Sequence, residues 1–424
     1  MSHVGIVCPN MSGHVNPMIA LADSLRKDGH RVTFFLLGDL PASIGQAGFE
    51  MVPLGGKAFP VEEYRHASET LGTLQGRAAL KHTFGMGLRS AEAILQEGPD
   101  LIGKSGVEAL VVDQASTPAG TIADELGLPF ATVCNALLLN PGPTVPPFFT
   151  HWHPTKSWWS QIRNKIFWAG LGRLYSPILK KIQSRRKELG LSIPSSITDA
   201  WSTRLQISQQ PQVFEFPRND LPKHLRFVGP LRLKGGDSDI PFPWERLDGR
   251  PLIYSSFGTL QNRIHSNFQK VAEACSGLGA QLVLSTGKGI PAKSLGDLPG
   301  NPIVVDYAPQ RELLKRATMV VTHAGLNTVL DALSAGVPMV AMPVTNEQPG
   351  IAARMSFIGA GESLKNKPLT TSNLRPLIQR VLGNPSYKEA AEKVRVSIQL
   401  AGGAPRASEL LGEALGLTGQ APKQ

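Results

Sequence analysis

At 424 residues the chain is too long for one core of ordinary size, so two domains are expected. A hydrophobic content of 42% with 18% charged residues fits a globular protein and excludes disorder, and no run of about twenty apolar residues offers a membrane span. The net charge of +10 favours anionic partners, whether nucleic acid, an anionic membrane surface or a phosphorylated substrate, and three cysteines are too few for a disulfide framework.

The chain opens on an apolar run over residues 4–8 with no basic segment ahead of it, which predicts a first strand rather than a leader peptide. Residues 17–27 carry helical apolar spacing, with Asn16 as the expected N-cap and Pro17 at the first helical position. Strands follow over 31–35, 49–54 and 109–113, then a proline-opened helix over 118–126 and a strand over 129–134. Strands separated by helices imply parallel pairing with right-handed crossovers. Residues 235–243, rich in Gly, Asp and Pro, read as a linker. The rhythm restarts with strands over 252–256, 281–285, 303–306, 319–322 and 339–342, and helical patterns over 369–382, 387–400 and 407–415 close the chain. The fold class is therefore α/β, with two doubly wound parallel sheets in series. Cys8 and Cys134 sit in strand-like runs and Cys275 in a helical one, so buried free thiols and a reducing, cytoplasmic setting are expected.

The densest chemistry lies between Tyr307 and Gln348. Strand 319–322 runs into His323-Ala324-Gly325 and a helical pattern starts at once, so free backbone N–H groups and the helix dipole make an anion site there. Asn327 and Thr328 add side-chain donors, His323 another, and a diphosphate fits. Asp331 lies one turn on, placed to accept from ribose hydroxyls. Tyr307 offers an aromatic face to a base, worth about 1–3 kcal/mol by analogy with base stacking. Glu347 and Gln348 follow another strand end and suit sugar hydroxyls. An ordinary βαβ unit accounts for any one of these residues, but not for the spaced set.

The segments Tyr307-Ala308-Pro309-Gln310, His323 through Ala332, and Glu347-Gln348-Pro349-Gly350 resemble the nucleotide-sugar signature of the family one glycosyltransferases. With the late Ala401-Gly402-Gly403-Ala404-Pro405, the likeness is strongest to the bacterial zeaxanthin glucosyltransferase branch of that family. Plant members usually carry Trp at the position of Tyr307, Glu at Asp331 and Asp at Glu347, departures that bear on sugar selectivity more than on binding mode. The resemblance implies a GT-B fold, two Rossmann-like domains facing a central cleft. On it the chain divides into an acceptor domain over 1–230, a linker over 231–250, a donor domain over 251–385, and C-terminal helices over 386–424 packing back toward the first domain. It implies a UDP-sugar donor, UDP-glucose by preference, held by Tyr307, Ala308, Gln310, His323, Gly325, Asn327, Thr328, Asp331, Glu347 and Gln348. Ser256 and Thr259, in the glycine turn after strand 252–256, match family residues that approach the diphosphate. Neither cofactor nor metal is implied.

For the base, Ser12-Gly13-His14-Val15-Asn16-Pro17 follows the first strand, placing His14 at a strand's carboxyl end, where α/β sheets bind ligands. A histidine at a helix start can also simply bond local backbone. Near-neutral pKa suits it to accept a hydroxyl proton, provided a carboxylate orients it. Asp113, ending strand 109–113, is the candidate partner. His14 and Asp113 match the catalytic dyad of the family, and the resemblance implies inversion at the anomeric carbon.

Three patterns are discounted. Residues 98–105 match a Walker A string letter for letter but follow a helical run and precede a strand, the reverse of a phosphate loop. Asp237-Ser238-Asp239 sits in the linker, and His151-Trp152-His153 lacks further ligands at metal spacing. Residues 151–190 hold four of the six tryptophans and nine Lys or Arg against Glu188 alone. This segment is expected either to cover the acceptor pocket or to touch anionic lipid through Trp158, Trp159, Trp168, Lys180, Lys181, Arg185, Arg186 and Lys187. The expected acceptor is a hydrophobic alcohol or phenol. Rival readings are a nucleotide-sugar epimerase of the same fold, a non-catalytic nucleotide-binding module, and a nucleic-acid binder. The last is disfavoured because the basic residues are scattered and no binding motif appears.

Overall fold

The computed structural model describes the chain apart from residues 75, 234, 236–239, 259–262, 288, 366 and 419–424. Thr259 and the Asp237-Ser238-Asp239 triplet therefore lie outside the described residues. The first sheet contains β1 (His3–Val7), β2 (Arg31–Leu37), β3 (Glu50–Leu54), β4 (Ala109–Asp113), β5 (Phe130–Cys134), β6 (Gln206–Ser208) and β7 (Leu225–Phe227). The second contains β8 (Leu252–Ser256), β9 (Gln281–Ser285), β10 (Ile303–Val305), β11 (Ala317–Thr322), β12 (Met339–Ala341) and β13 (Gly361–Ser363). Every pairing between these strands is parallel, in the orders β3-β2-β1-β4-β5-β6-β7 and β10-β9-β8-β11-β12-β13.

Helices cover both faces of each sheet. They are α1 (Ser12–Lys27), α2 (Ala42–Gln46), α3 (Val61–Leu71), α4 (Gly76–Lys104), α5 (Pro118–Glu125) and α6 (Trp158–Glu188) in the first half. In the second half they are α7 (His265–Cys275), α8 (Gln310–Leu314), α9 (Leu326–Ser334), α10 (Gln348–Phe357), α11 (Thr371–Gly383), α12 (Ser386–Ala401) and α13 (Gly403–Leu415). The near-continuous apolar strands follow from this two-sided burial. Ala109 and Val111 of β4 enter one core with α1, while Leu110 and Val112 enter the opposite core against α4 and α5. α12 packs on α9 of the second half, and α13 crosses to α1, burying Ala407 and Leu411 in the first core. All three cysteines are buried free thiols.

The helix after β1 starts earlier than its sequence suggests. α1 begins at Ser12 with Met11 as N-cap, so Asn16 is an exposed residue inside the helix and Pro17 lies in its interior. The strands β6, β7 and β13 are too short to show a sequence period. The last turns of α4 contain the Walker-like string as far as Lys104, leaving no phosphate loop there.

The two halves meet through a desolvated contact. Glu215, just after β6, accepts from Arg354 of α10 at 2.6 Å, with side chains only 3% and 2% exposed. Gln210 donates to the other Glu215 oxygen at 2.9 Å. Gly350 approaches so closely that an added Cβ would stand 2.2 Å from the Phe148 carbonyl oxygen.

Candidate active site

In both sheets the strand order reverses once, between β1 and β4 and between β8 and β11. Those switch points open crevices at the strands' carboxyl ends. Both families of candidate residues sit at them.

At the first switch point, His14 in the opening turn of α1 meets Asp113 at the end of β4, Nδ1 to Oδ2 at 2.8 Å. Asp113 is fully buried. Its Oδ1 accepts from the Ala115 backbone N–H at 2.8 Å, and its Oδ2 also accepts from Asn135 Nδ2 at 2.8 Å. A carboxylate bonded on every side has one orientation, and it holds the proton on His14 Nδ1, leaving Nε2 as the lone-pair nitrogen. Burial pulls the His14 pKa down, but the charge and hydrogen bond of Asp113 outweigh it, helped by the charge of Glu347, so the net shift is upward. Burial in turn pushes the Glu347 carboxyl up, against a backbone hydrogen bond and the pull of His14.

At the second switch point the β11–α9 turn wraps His323. An added Cβ at Gly258 or at Gly325 would lie 2.6 Å from the imidazole, so two glycines make the slot that holds the ring. Burial drives the His323 pKa down to about 4, against a hydrogen bond that the ring donates to the Ser256 backbone, so the ring is neutral at physiological pH. Its Nδ1 has no partner among the described residues. Ala324 takes φ +68 and Asn346 φ +53, two left-handed non-glycine residues on turns that face the cleft. Gly325 caps α9, Thr328 is buried in its first turn, and Ser256 accepts from the Gly258 N–H at 3.1 Å.

The remaining donor candidates are already engaged. Asp331 accepts from Arg232 Nε at 2.6 Å and from Gln310 Nε2 at 2.7 Å. Asn327 donates to the Gly13 backbone oxygen at 2.9 Å and accepts from Gln209 and Arg232, each at 3.1 Å. The Gln348 side-chain oxygen accepts from the Val344 and Thr345 N–H groups, shaping the turn that carries Glu347. Tyr307 stands 42% exposed, above a buried Ala308.

One cavity of about 1020 Å³ brings these groups together. It is lined by His14 and by every described donor candidate from Ser256 to Gln348, with Asp113 directly behind the histidine. Leu71, Phe84, Leu137, Phe148, Tyr175 and Ile178 add apolar wall to the same cavity. Asn135, Gln209 and Arg232 had no sequence signal, because each acts through partners distant in the chain.

The α6 segment departs from expectation in one respect. Arg185 pairs with Glu125 and Arg186 is buried against Asp124, so these two cations hold α6 to the domain, while Lys181, still half exposed, pairs with Glu92. Trp168 is likewise turned inward, donating to the Val145 oxygen at 2.9 Å. Trp158 and Trp159 are exposed and stacked, ring centroids 4.0 Å apart.

Comparison with known proteins agrees with this geometry. The family model for UDP-glucoronosyl and UDP-glucosyl transferases matches residues 111–398. The chain belongs to this family. It is 30% identical over 423 residues to a zeaxanthin glucosyltransferase of Pseudescherichia vulneris, covering 98% of each chain. It is 28% identical to one from Pantoea ananas, covering 99% of this chain and 97% of the other. Among solved structures, the calicheamicin glycosyltransferase CalG4 superposes with a TM-score of 0.76 over 98% of both chains at 22% identity, which establishes the GT-B fold. The protein is thus a glycosyltransferase that moves a sugar from a nucleotide-sugar donor. Among the described residues no cluster of three or more His, Cys, Asp or Glu is arranged to hold a metal, and no helix is long and apolar enough to cross a membrane.

Proposed function

We propose that this glycosyltransferase moves a hexose, glucose by preference, from a UDP-sugar to a hydroxyl of a large hydrophobic alcohol or phenol, with inversion. The observation that carries this reading is the shared cavity, with His14, backed by Asp113, and residues from His323 to Asp331 on its walls together with apolar side chains. His14 Nε2 takes the acceptor's hydroxyl proton as the oxygen attacks the anomeric carbon, and Asp113 stabilises the imidazolium. The bond from the anomeric carbon to the diphosphate breaks on the opposite face, and UDP leaves with the bonding electrons. Charge gathering on that diphosphate meets the start of α9, Asn327 and Thr328, so the transfer needs neither metal nor cofactor. Ser256, Tyr307, Ala308, Gln310, His323, Gly325, Asp331, Glu347 and Gln348 complete the donor site in this reading.

The acceptor class rests on the apolar wall of the cavity and on the named relatives, two of which are zeaxanthin glucosyltransferases. A carotenoid-like alcohol resides in a bilayer. α6, whose Tyr175 and Ile178 wall the cavity, exposes Trp158, Trp159, Ile162, Ile166 and Leu174 on its outer side. This stripe supports peripheral contact with the inner face of a membrane, and the three buried thiols fit a cytoplasmic setting.

The test is mass spectrometry of products from a panel of UDP- and TDP-sugars with hydroxycarotenoid, sterol and phenol acceptors, with and without EDTA. Proton NMR then reads the anomeric configuration. Thymidine diphosphate sugars belong in the panel because the solved glycosyltransferase SsfS6 is described in complex with thymidine diphosphate. A nucleotide sugar altered without any alcohol present would replace this reading with the epimerase; turnover abolished by EDTA would overturn the metal-free mechanism.

A further inference from the structure

We infer that Arg232, in the segment joining the two sheets, forms a diphosphate subsite of the donor pocket together with Asn327. The inference rests on the nucleotide-sugar reading above and adds to it a residue that the signature does not contain.

Arg232 follows β7, outside the donor sheet, yet its guanidinium lies across the start of α9. Nε donates to Asp331 Oδ1 at 2.6 Å, and Nη2 donates to Asn327 at both its backbone oxygen, 3.2 Å, and its side-chain oxygen, 3.1 Å. Nη1 donates to the Gln209 side-chain oxygen at 3.2 Å and to the Leu231 carbonyl at 2.9 Å. The side chain retains 21% exposure and lines the cavity. All five guanidinium N–H groups are engaged, so a phosphate placed on the N–H groups of the α9 start and on the Asn327 amide would take Nη2 over from the two Asn327 oxygens, while Nε keeps its bond to the Asp331 carboxylate.

Asp331 is already balanced by Arg232, so it is the charge a diphosphate adds that calls for a shared cation here. The cavity wall carries the carboxylates of Asp331 and Glu347, with Asp113 behind His14. A diphosphate brings further negative charge into this partly desolvated space, where unpaired anions are costly. The α9 start offers roughly half a charge. Of the two arginines on the cavity wall, Arg311 directs Nη1 to the Leu233 carbonyl at 2.6 Å, whereas Arg232 points its fork at Asn327 and Asp331. A planar fork also suits phosphate better than a point cation.

The arrangement ties donor binding to the base. Gln209, which holds Arg232, also donates to the Asn135 backbone oxygen at 2.5 Å, and Asn135 holds Asp113. A polar chain thus runs from the imidazole to the diphosphate subsite through buried side chains.

Calorimetry with uridine, UMP and UDP on wild type, Arg232→Lys and Arg232→Met tests the assignment. The expected result is a loss in Arg232→Met that grows with phosphate number, with uridine within twofold of wild type, UDP weakened at least tenfold, and partial recovery in Arg232→Lys. Equal losses for uridine and UDP would reduce Arg232 to a support for Asp331 and overturn the subsite. So would UDP affinity unchanged in a wild-type-like, folded Arg232→Met. Wild type that bound neither UDP nor TDP would instead bring down the donor reading, and the subsite with it. Circular dichroism and thermal unfolding of both variants exclude misfolding as the source of a loss.

Discussion

Asn327 donates its side-chain amide across the cleft to the backbone oxygen of Gly13 at 2.9 Å. The oxygen is open to it because Pro17, four residues on, has no N–H to complete the helical bond. The residue next to His14 is thereby tied to the first turn of α9, so the proposed base and the proposed donor helix share a contact. Replacing Asn327 with Ala removes both this tether and a phosphate donor. Hydrogen bonds to charged groups are worth about 1.5–3 kcal/mol, so UDP affinity is expected to fall roughly 10- to 150-fold. Titration calorimetry measures it directly, and unchanged UDP affinity would remove Asn327 from the donor set.

The pH profile follows from the His14 environment. Protonated His14 cannot act as a base, so kcat/KM should rise with pH through a limb lying above 6.5, the ordinary histidine value, because Asp113 and Glu347 together outweigh burial. In Asp113→Asn the charge is gone and burial is left to dominate. The limb should move to lower pH while the rate falls. Glu347→Gln should shift the limb the same way, by less. A limb that stayed in place in Asp113→Asn would separate the titrating group from His14.

Much of the lining of this cavity was legible in the sequence, and for a local reason. Ser256 ends a strand and His14, His323 and Glu347 follow strand ends, and apolar periodicity marks strand ends well. Asp113 was readable as the last residue of an apolar run. Arg232, Gln209 and Asn135 were not, because their roles lie in contacts between 22 and 118 residues apart along the chain, to which periodicity is blind. The start of α1 was misjudged because Asn16-Pro17 imitates a helix opening. The chain instead tolerates a proline in the helix and uses the carbonyl it frees. The basic run of α6 looked like a lipid-facing patch because a sequence lists charges without their partners, and Glu92, Asp124 and Glu125 come from α4 and α5.

The His323 slot predicts a steric effect. Gly325→Ala would place a methyl group 2.6 Å from the His323 Nε2, with ordinary φ and no backbone strain at that residue. Overpacking of this kind costs about 1–3 kcal/mol. The ring must move toward the phosphate position, so nucleotide binding should weaken together with thermal stability. Loss of stability with full UDP affinity would mean that His323 is packing and not part of the donor site.

The Glu215–Arg354 pair predicts an asymmetric double-mutant cycle. Removing one member strands a buried charge, so Glu215→Ala should destabilise by about 3–5 kcal/mol in urea unfolding. The combined Glu215→Leu and Arg354→Met replacement should recover most of that loss, because apolar groups of similar size need no partner. Since the pair joins the two halves near the β6 end and α10, a single replacement should also broaden the transition by uncoupling the domains. A single, sharp, unshifted transition in Glu215→Ala would mean that the contact does not couple the halves.

The outer side of α6 yields the last prediction. Trp158, Trp159, Ile162, Ile166 and Leu174 are exposed, whereas Leu171, Ile178 and Ile182 of the same helix are buried, so α6 is apolar on two sides. Lys156, Lys165, Arg173, Lys180 and Lys187 remain exposed near the stripe. Each contributes about 1 kcal/mol near an anionic surface, while the tryptophans suit the headgroup level on any bilayer. Partition onto vesicles should therefore be measurable on zwitterionic lipid and stronger on anionic lipid. Substituting Trp158, Trp159 and Ile166 with Ser should cut it about tenfold or more, ~1.4 kcal/mol. If the stripe delivers a membrane-borne acceptor, the same variant should lose turnover on a vesicle-borne hydroxycarotenoid and keep it on a dissolved phenol, since the cavity is untouched. Sedimentation that showed no lipid binding by the wild type, with good turnover on the phenol alone, would make the acceptor a dissolved aromatic alcohol and leave the α6 stripe without a membrane role.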